Sequence, residues 1–106
     1  TDAEADYHRS SQVLAFARLR TGRPGKLPRP THDLSEVPPQ VMAGVDEALS
    51  CAAIGSPASV ATALKALIAR YKPDEIMLTG MIHDHQARLK SFKIAANVIK
   101  AINPSL

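Results

Sequence analysis

Two short stretches carry the groups that chemistry needs. Residues 79–85 read Thr-Gly-Met-Ile-His-Asp-His. An imidazole titrates near neutral pH, so His83 is a candidate acid–base group or polar contact to a cofactor or substrate. The His-x-His spacing of His83 and His85 makes no metal site by itself. It needs a third converging ligand, and His8 and His32 lie far away along the chain. A plainer role competes, with Asp84 capping a helix and His85 and Arg88 in surface hydrogen bonds. Residues 55–59 read Gly-Ser-Pro-Ala-Ser. A serine hydroxyl before proline suits a helix start, with Ser56 as the cap and Pro57 at the first helical position. The free N–H groups and the positive end of that helix would also suit a phosphate or another anion. Gly55, Ser56 and Ser59, with Met81 from the other stretch, form the candidate cofactor-binding set. Capping alone is the competing role for Ser56. No Ser-His-Asp constellation and no carboxylate pair stands out. Cys51, in a short apolar run, reads as a packed thiol rather than a nucleophile.

The elements that must position these stretches follow from spacing. Each stretch comes after a short, uninterrupted apolar run and before a helical pattern. "CAAI" (51–54) and "IMLT" (76–79) read as strands buried on both faces. Val60, Ala63, Leu64, Leu67, Ile68 and Tyr71 share one stripe of a helix over 57–71, which Pro73 stops. A last helix over 84–102 carries Leu89, Phe92, Ala96, Ile99 and Ile102 on its apolar side, and Asn103-Pro104 ends it. Upstream, a helix over 2–20 has Thr1 or Asp2 as cap, acids in its first turns, Arg18 and Arg20 in its last, and Gly22 as a stop. The Pro-rich segment 22–37 favours extended backbone and suits a strap laid over a larger body. A helix over 38–49 follows, with Val41, Met42, Val45, Ala48 and Leu49 at helical spacing.

Composition bounds the function. The chain has 106 residues, 45% hydrophobic and 22% charged, which describes one globular unit with an aliphatic core and no Trp. The net charge of +3 is local. Arg18, Arg20, Arg23, Lys26 and Arg29 carry five positive charges, and without them the balance turns negative. The stretch is interleaved with Gly and Pro, not aromatics, so it reads as a solvated loop and not a nucleic-acid surface. A single cysteine allows no internal disulfide and fits a cytoplasmic setting. No apolar run approaches the ~18 residues of a membrane span.

Strand, helix, strand, helix makes parallel strands, and two strands of about four residues are not a stable sheet. The expected fold class is therefore α/β, with the chain supplying the C-terminal βα units of a (β/α)8 barrel of roughly 250 residues. "CAAI" would be strand seven and "IMLT" strand eight, paired in parallel, with strands one to six upstream of Thr1. As an isolated chain it would be mostly helical. A doubly wound sheet fits the strands equally, but the Gly-rich phosphate motif of that fold is absent.

A family resemblance runs along nearly the whole chain, to about Val98. Its residues are Gly22-Arg23-Pro24-Gly25 and Leu27-Pro28, then Gly55-Ser56-Pro57 with Val60, Leu64, Leu67 and Ile68. Asp74 to Thr79 follow, then Asp84-His85, Ala87-Arg88-Leu89, Ser91-Phe92 and Ile94. "DHQARLKSFKI" after "DEIMLT" is the specific part. In these residues the chain resembles the C-terminal part of the luciferase-like, flavin-dependent monooxygenases. The resemblance implies a barrel, reduced flavin mononucleotide (FMN) or a related deazaflavin, and a separate flavin reductase. It also implies dioxygen-dependent oxidation of an aldehyde or another organic substrate. Lys72-Pro73 departs from the pattern at one helix-to-strand corner. The larger departure is length, since the missing strands would carry most of the flavin and substrate contacts. The chain alone would then be inactive, and it would be held by the rest of its barrel or by a second copy. The rival expectation is a free-standing, mostly helical interaction module, or the tail of another barrel enzyme. Parallel pairing of Cys51–Ile54 with Ile76–Thr79 favours the barrel. Helical or hairpin forms of those segments favour the module.

Overall fold

The computed structural model describes residues 1–102, and the expected Asn103-Pro104 helix stop lies outside the described residues. Four helices occur in the order α1 (Asp2–Arg20), α2 (Pro39–Ala48), α3 (Pro57–Tyr71) and α4 (His85–Ile102). Local chemistry accounts for their ends. The Thr1 hydroxyl accepts from the Glu4 N–H at 3.1 Å, and Asp2 and Glu4 complement the dipole of the first turn of α1. Gly22, at φ +78°, turns the chain away just beyond the last turn. Pro39 opens α2 behind Pro38. The Ser56 hydroxyl caps α3, and a left-handed Lys72 (φ 45°) followed by Pro73 ends it. The Asp84 carboxylate accepts from the Ala87 N–H at 2.8 Å and caps α4.

The helices pack as two pairs, α1 on α2 and α3 on α4. The first pair holds the main core, in which Val13, Leu14, Ala17, Val37 and Val45 are buried against Phe16, Leu34, Val41, Met42 and Leu49. Val45 is fully enclosed at 0% exposure. The 22–37 strap contributes to this core through Leu34 and Val37 and folds back along α1. The Thr31 N–H donates to Ser10 Oγ at 2.8 Å, His32 stacks on Tyr7 at 4.3 Å, and Arg18 pairs with Glu36 at 3.2 Å. The second pair is thinner and buries only Leu64 and Val98 among the described residues.

The structure corrects several expectations. Residues 51–54 and 76–79 are irregular, and no strand forms among the described residues, so the expected parallel pairing is absent. Neither segment is helical or folded into a hairpin. The physical reason is that a strand forms when neighbouring backbones satisfy its N–H and C=O groups, and each segment lacks those neighbours here. The expected burial fails for the same reason. Cys51, Ile76, Met77 and Leu78 are exposed, Met77 at 85%, and the thiol is not packed. On α4 the buried residue is Val98, while Leu89 and Phe92 are exposed. The expected apolar side of that helix has little to pack against besides α3.

Candidate functional site

The irregular segments 51–55 and 76–82 run between α1, α3 and α4 and line an open groove of about 860 Å³. One wall is apolar, with Ile54, Leu64, Leu67, Ile68 and Ile94. The α1 wall is polar and presents Glu4, His8, Arg9 and Gln12. His8 Nδ1 and Arg9 Nε are buried there without a hydrogen-bond partner, as is Ser11 Oγ nearby on α1. Unpaired buried polar atoms are costly.

At the start of α3, Gly55 and Pro57 belong to the groove lining, while Ser56, Ser59 and Asp2 do not. Gly55 has φ +130°, a region open to glycine and strained for other residues. A Cβ there would lie 2.3 Å from Asp2 Oδ1 and 2.7 Å from Ser59 Cβ. The bare glycine therefore lets a single oxygen atom approach the turn. That oxygen belongs to Asp2, which reaches across from the start of α1. Its Oδ1 accepts from the Ser56 N–H at 2.7 Å and from the Ser59 hydroxyl at 2.8 Å. Ser56 Oγ meanwhile accepts the Ser59 N–H at 3.3 Å as the helix cap. The Ser56 N–H, followed by the Ser59 hydroxyl, holds the Asp2 carboxyl below its ordinary value. Capping and anion binding are thus compatible, because they use different atoms: Ser56 Oγ caps while Ser56 N and Ser59 Oγ hold a carboxylate.

The sequence candidates divide accordingly. Gly55, Ser56 and Ser59 form one cradle around the Asp2 carboxylate. Met81 lines the groove together with Gly55. His83 is exposed and is not part of the groove lining. His85 Nδ1 lies 2.9 Å from the Arg88 guanidinium on the surface of α4. No group of three His, Cys, Asp or Glu side chains gathers to hold a metal ion among the described residues. No helix among them is long and apolar enough to cross a membrane. Sequence reasoning missed Asp2 as a partner of the cradle, and it missed the His8–Arg9 wall. An acid at the first turn of a helix reads only as a dipole partner. The i, i+1 pair His8–Arg9 falls outside every apolar stripe and so reads as solvated.

The chain is similar to named proteins along nearly all its length. A protein named luciferase-like monooxygenase from Escherichia coli (strain K12) is 37% identical over 99 residues, which are 92% of this chain and 30% of that protein. The protein of the same name from Escherichia coli O6:H1 (strain CFT073) matches equally. The uncharacterized protein YvbT of Bacillus subtilis (strain 168) is 32% identical over 101 residues, 94% of this chain and 30% of its own. No protein-family model matches, and no solved structure matches. The chain is thus similar, over nearly all of its own length, to luciferase-like monooxygenases, and it spans about 30% of the length of the relatives it matches.

Proposed function

We propose that the chain is the C-terminal part of a flavin-dependent monooxygenase and completes a (β/α)8 barrel in the whole protein. Cys51–Ile54 and Ile76–Thr79 would there become strands seven and eight. The similarity to luciferase-like monooxygenases over 92% of the chain carries this reading. Two facts of the fold support it. Both segments are non-helical, and each is followed by a helix, α3 from Pro57 after 51–54 and α4 from His85 after 76–79, as barrel strands are. Their apolar side chains also lie uncovered around one groove, which is what strands look like when their neighbours belong to a part of the protein not described.

The cofactor would be reduced FMN or a related deazaflavin. The cradle fits a phosphate oxygen in three respects: a backbone N–H from Ser56, a hydroxyl from Ser59, and a glycine whose missing Cβ leaves room for it. Met81 would lie at the cofactor's apolar flank, and His83 would be a polar contact or acid–base group once neighbouring loops cover it. Reduced FMN, when bound, would supply the electrons for dioxygen-dependent oxidation of an aldehyde or another organic substrate. A separate reductase would renew the flavin, and the setting would be the cytoplasm. The uncovered groove would be closed by the remainder of the barrel or by a second copy, and the chain alone would be inactive.

The test uses the intact source protein. A mass near barrel size, with oxygen uptake that requires reduced flavin and an aldehyde, supports the proposal. A mass matching these residues alone refutes it. The absence of flavin-dependent uptake also refutes it. A second reading, a non-catalytic helical interaction module, draws on the strand-free, four-helix architecture among the described residues. It predicts no flavin binding by the intact protein.

A further inference from the structure

We propose that the exposed basic edge of the 22–37 strap, continued by Arg20 at the end of α1, is a docking surface for an acidic segment of a partner polypeptide. Positive residues recur at every third position, as Arg20, Arg23, Lys26 and Arg29, with no acid between them. Three residues make one turn of an extended, proline-type backbone, so a period of three keeps side chains on one edge. Pro24, Pro28 and Pro30 fix their own φ, and each biases the residue before it towards extended backbone. The structure follows this period, although the strap bends at Lys26. Arg23 and Lys26 are exposed. Past the bend, Leu27, Pro28, Pro30 and Thr31 are half-buried and Arg29 alone stays exposed.

Two further observations separate this edge from an ordinary solvated loop. Its charges are not neutralised within the chain. Arg18 has an acidic partner, Glu36 at 3.2 Å, whereas Arg20, Arg23, Lys26 and Arg29 have none among the described residues. The edge is also held in place. The Thr31 N–H donates to the buried Ser10 hydroxyl, His32 stacks on Tyr7, and Val37 enters the main core. The prolines and these anchors lower the ordering cost that a free loop would meet on binding. Opposite charge is then the recognition chemistry, with carboxylates of the partner accepting from guanidinium and ammonium groups. Residues 20–31 include no aromatic side chain on which bases could stack, which favours a polypeptide over a nucleic acid.

The probe is fluorescein-labelled poly-L-glutamate, and its binding to the intact protein is read by fluorescence anisotropy at low and at physiological salt. The strap variant Arg23→Gln, Lys26→Gln, Arg29→Gln removes the edge. Its control, Lys65→Gln, Lys93→Gln, Lys100→Gln, removes the same charge from exposed positions on α3 and α4. The expected result is binding by the parent that weakens with salt, a loss of about 10-fold in the strap variant, and a change within about 2-fold in the control. The three strap residues are exposed and unpaired, so the circular-dichroism melts of parent and strap variant should coincide. If they do not, the double variant Lys26→Gln, Arg29→Gln takes its place, with an expected loss of about 5-fold. A control loss equal to that of the strap variant means net charge alone and overturns the edge. No binding by the parent overturns it too. So does tighter binding of single-stranded oligothymidylate than of poly-L-glutamate of equal charge, which would make the surface one for nucleic acid.

Discussion

Gly55→Ala is the most informative single substitution. At φ +130° an alanine is held in a region that costs about 1–3 kcal/mol for a residue with a Cβ. The new methyl would also meet two neighbours. Asp2 Oδ1, at 2.3 Å, is the end of a side chain that can turn away. Ser59 Cβ, at 2.7 Å, is fixed to the first turn of α3 and moves only if the helix start moves. Adding the second contact brings the expected loss to about 2–4 kcal/mol. At about 4–8 °C per kcal/mol for a domain of this size, the helical circular-dichroism melt should shift down by roughly 8–32 °C. Placing Gly55→Ala in a Ser59→Gly background should recover the steric part and leave the backbone part. A loss under about 0.5 kcal/mol, which is ordinary for a surface substitution, would show that the turn does not hold this conformation and would refute the reasoning.

Three further outcomes are expected. Asp2 is held below its ordinary value by the Ser56 N–H and the Ser59 hydroxyl, and Asp33 by the Ser35 hydroxyl and N–H. Depressed carboxyls stabilise the fold above the ordinary carboxylate range, and that stability is lost as pH falls through their folded values, below about pH 4. Urea midpoints at pH 6 and pH 3 should therefore differ less in the Asp2→Asn, Asp33→Asn double variant than in the parent. Val45→Ala removes two buried methyl groups from a fully enclosed site and should cost about 2–3 kcal/mol by urea denaturation. Met77→Lys, at an 85% exposed position, should leave the stability of the chain within about 0.5 kcal/mol. It should also weaken any self-association seen in sedimentation velocity, since a charge would enter the uncovered segment.

Helix ends were legible because their causes are local. Thr1, Ser56-Pro57 and Asp84 start helices through bonds that span three residues, and Gly22 and Pro73 end them. The α2 residues Val41, Met42, Val45 and Leu49, which pack in the main core, were legible from helical spacing. The irregular state of 51–54 and 76–79 was not, because apolar composition reports a preference for burial and not the presence of pairing partners. Burial of Ser10 and Ser11 was equally hidden. It depends on the strap folding back from 21 residues away, which brings the Thr31 N–H to Ser10. At the cradle, the donors Ser56 and Ser59 could be read from a helix-start signature. Their present acceptor could not, because nothing in "TDAEA" specifies a contact 54 residues downstream.

The exposed run Ile76-Met77-Leu78 has a consequence for handling as well as for folding. Uncharged, β-prone segments with open backbone groups recruit copies of themselves into growing stacks. Here the run is hemmed in by Lys72-Pro73-Asp74-Glu75 on one side and His83-Asp84-His85 on the other. Charges and a proline at such flanks act as gatekeepers: repulsion and a missing N–H limit how far a stack can extend. Replacing Asp74, Glu75 and Asp84 by their amides would remove three of those charges and weaken the guard on this stretch.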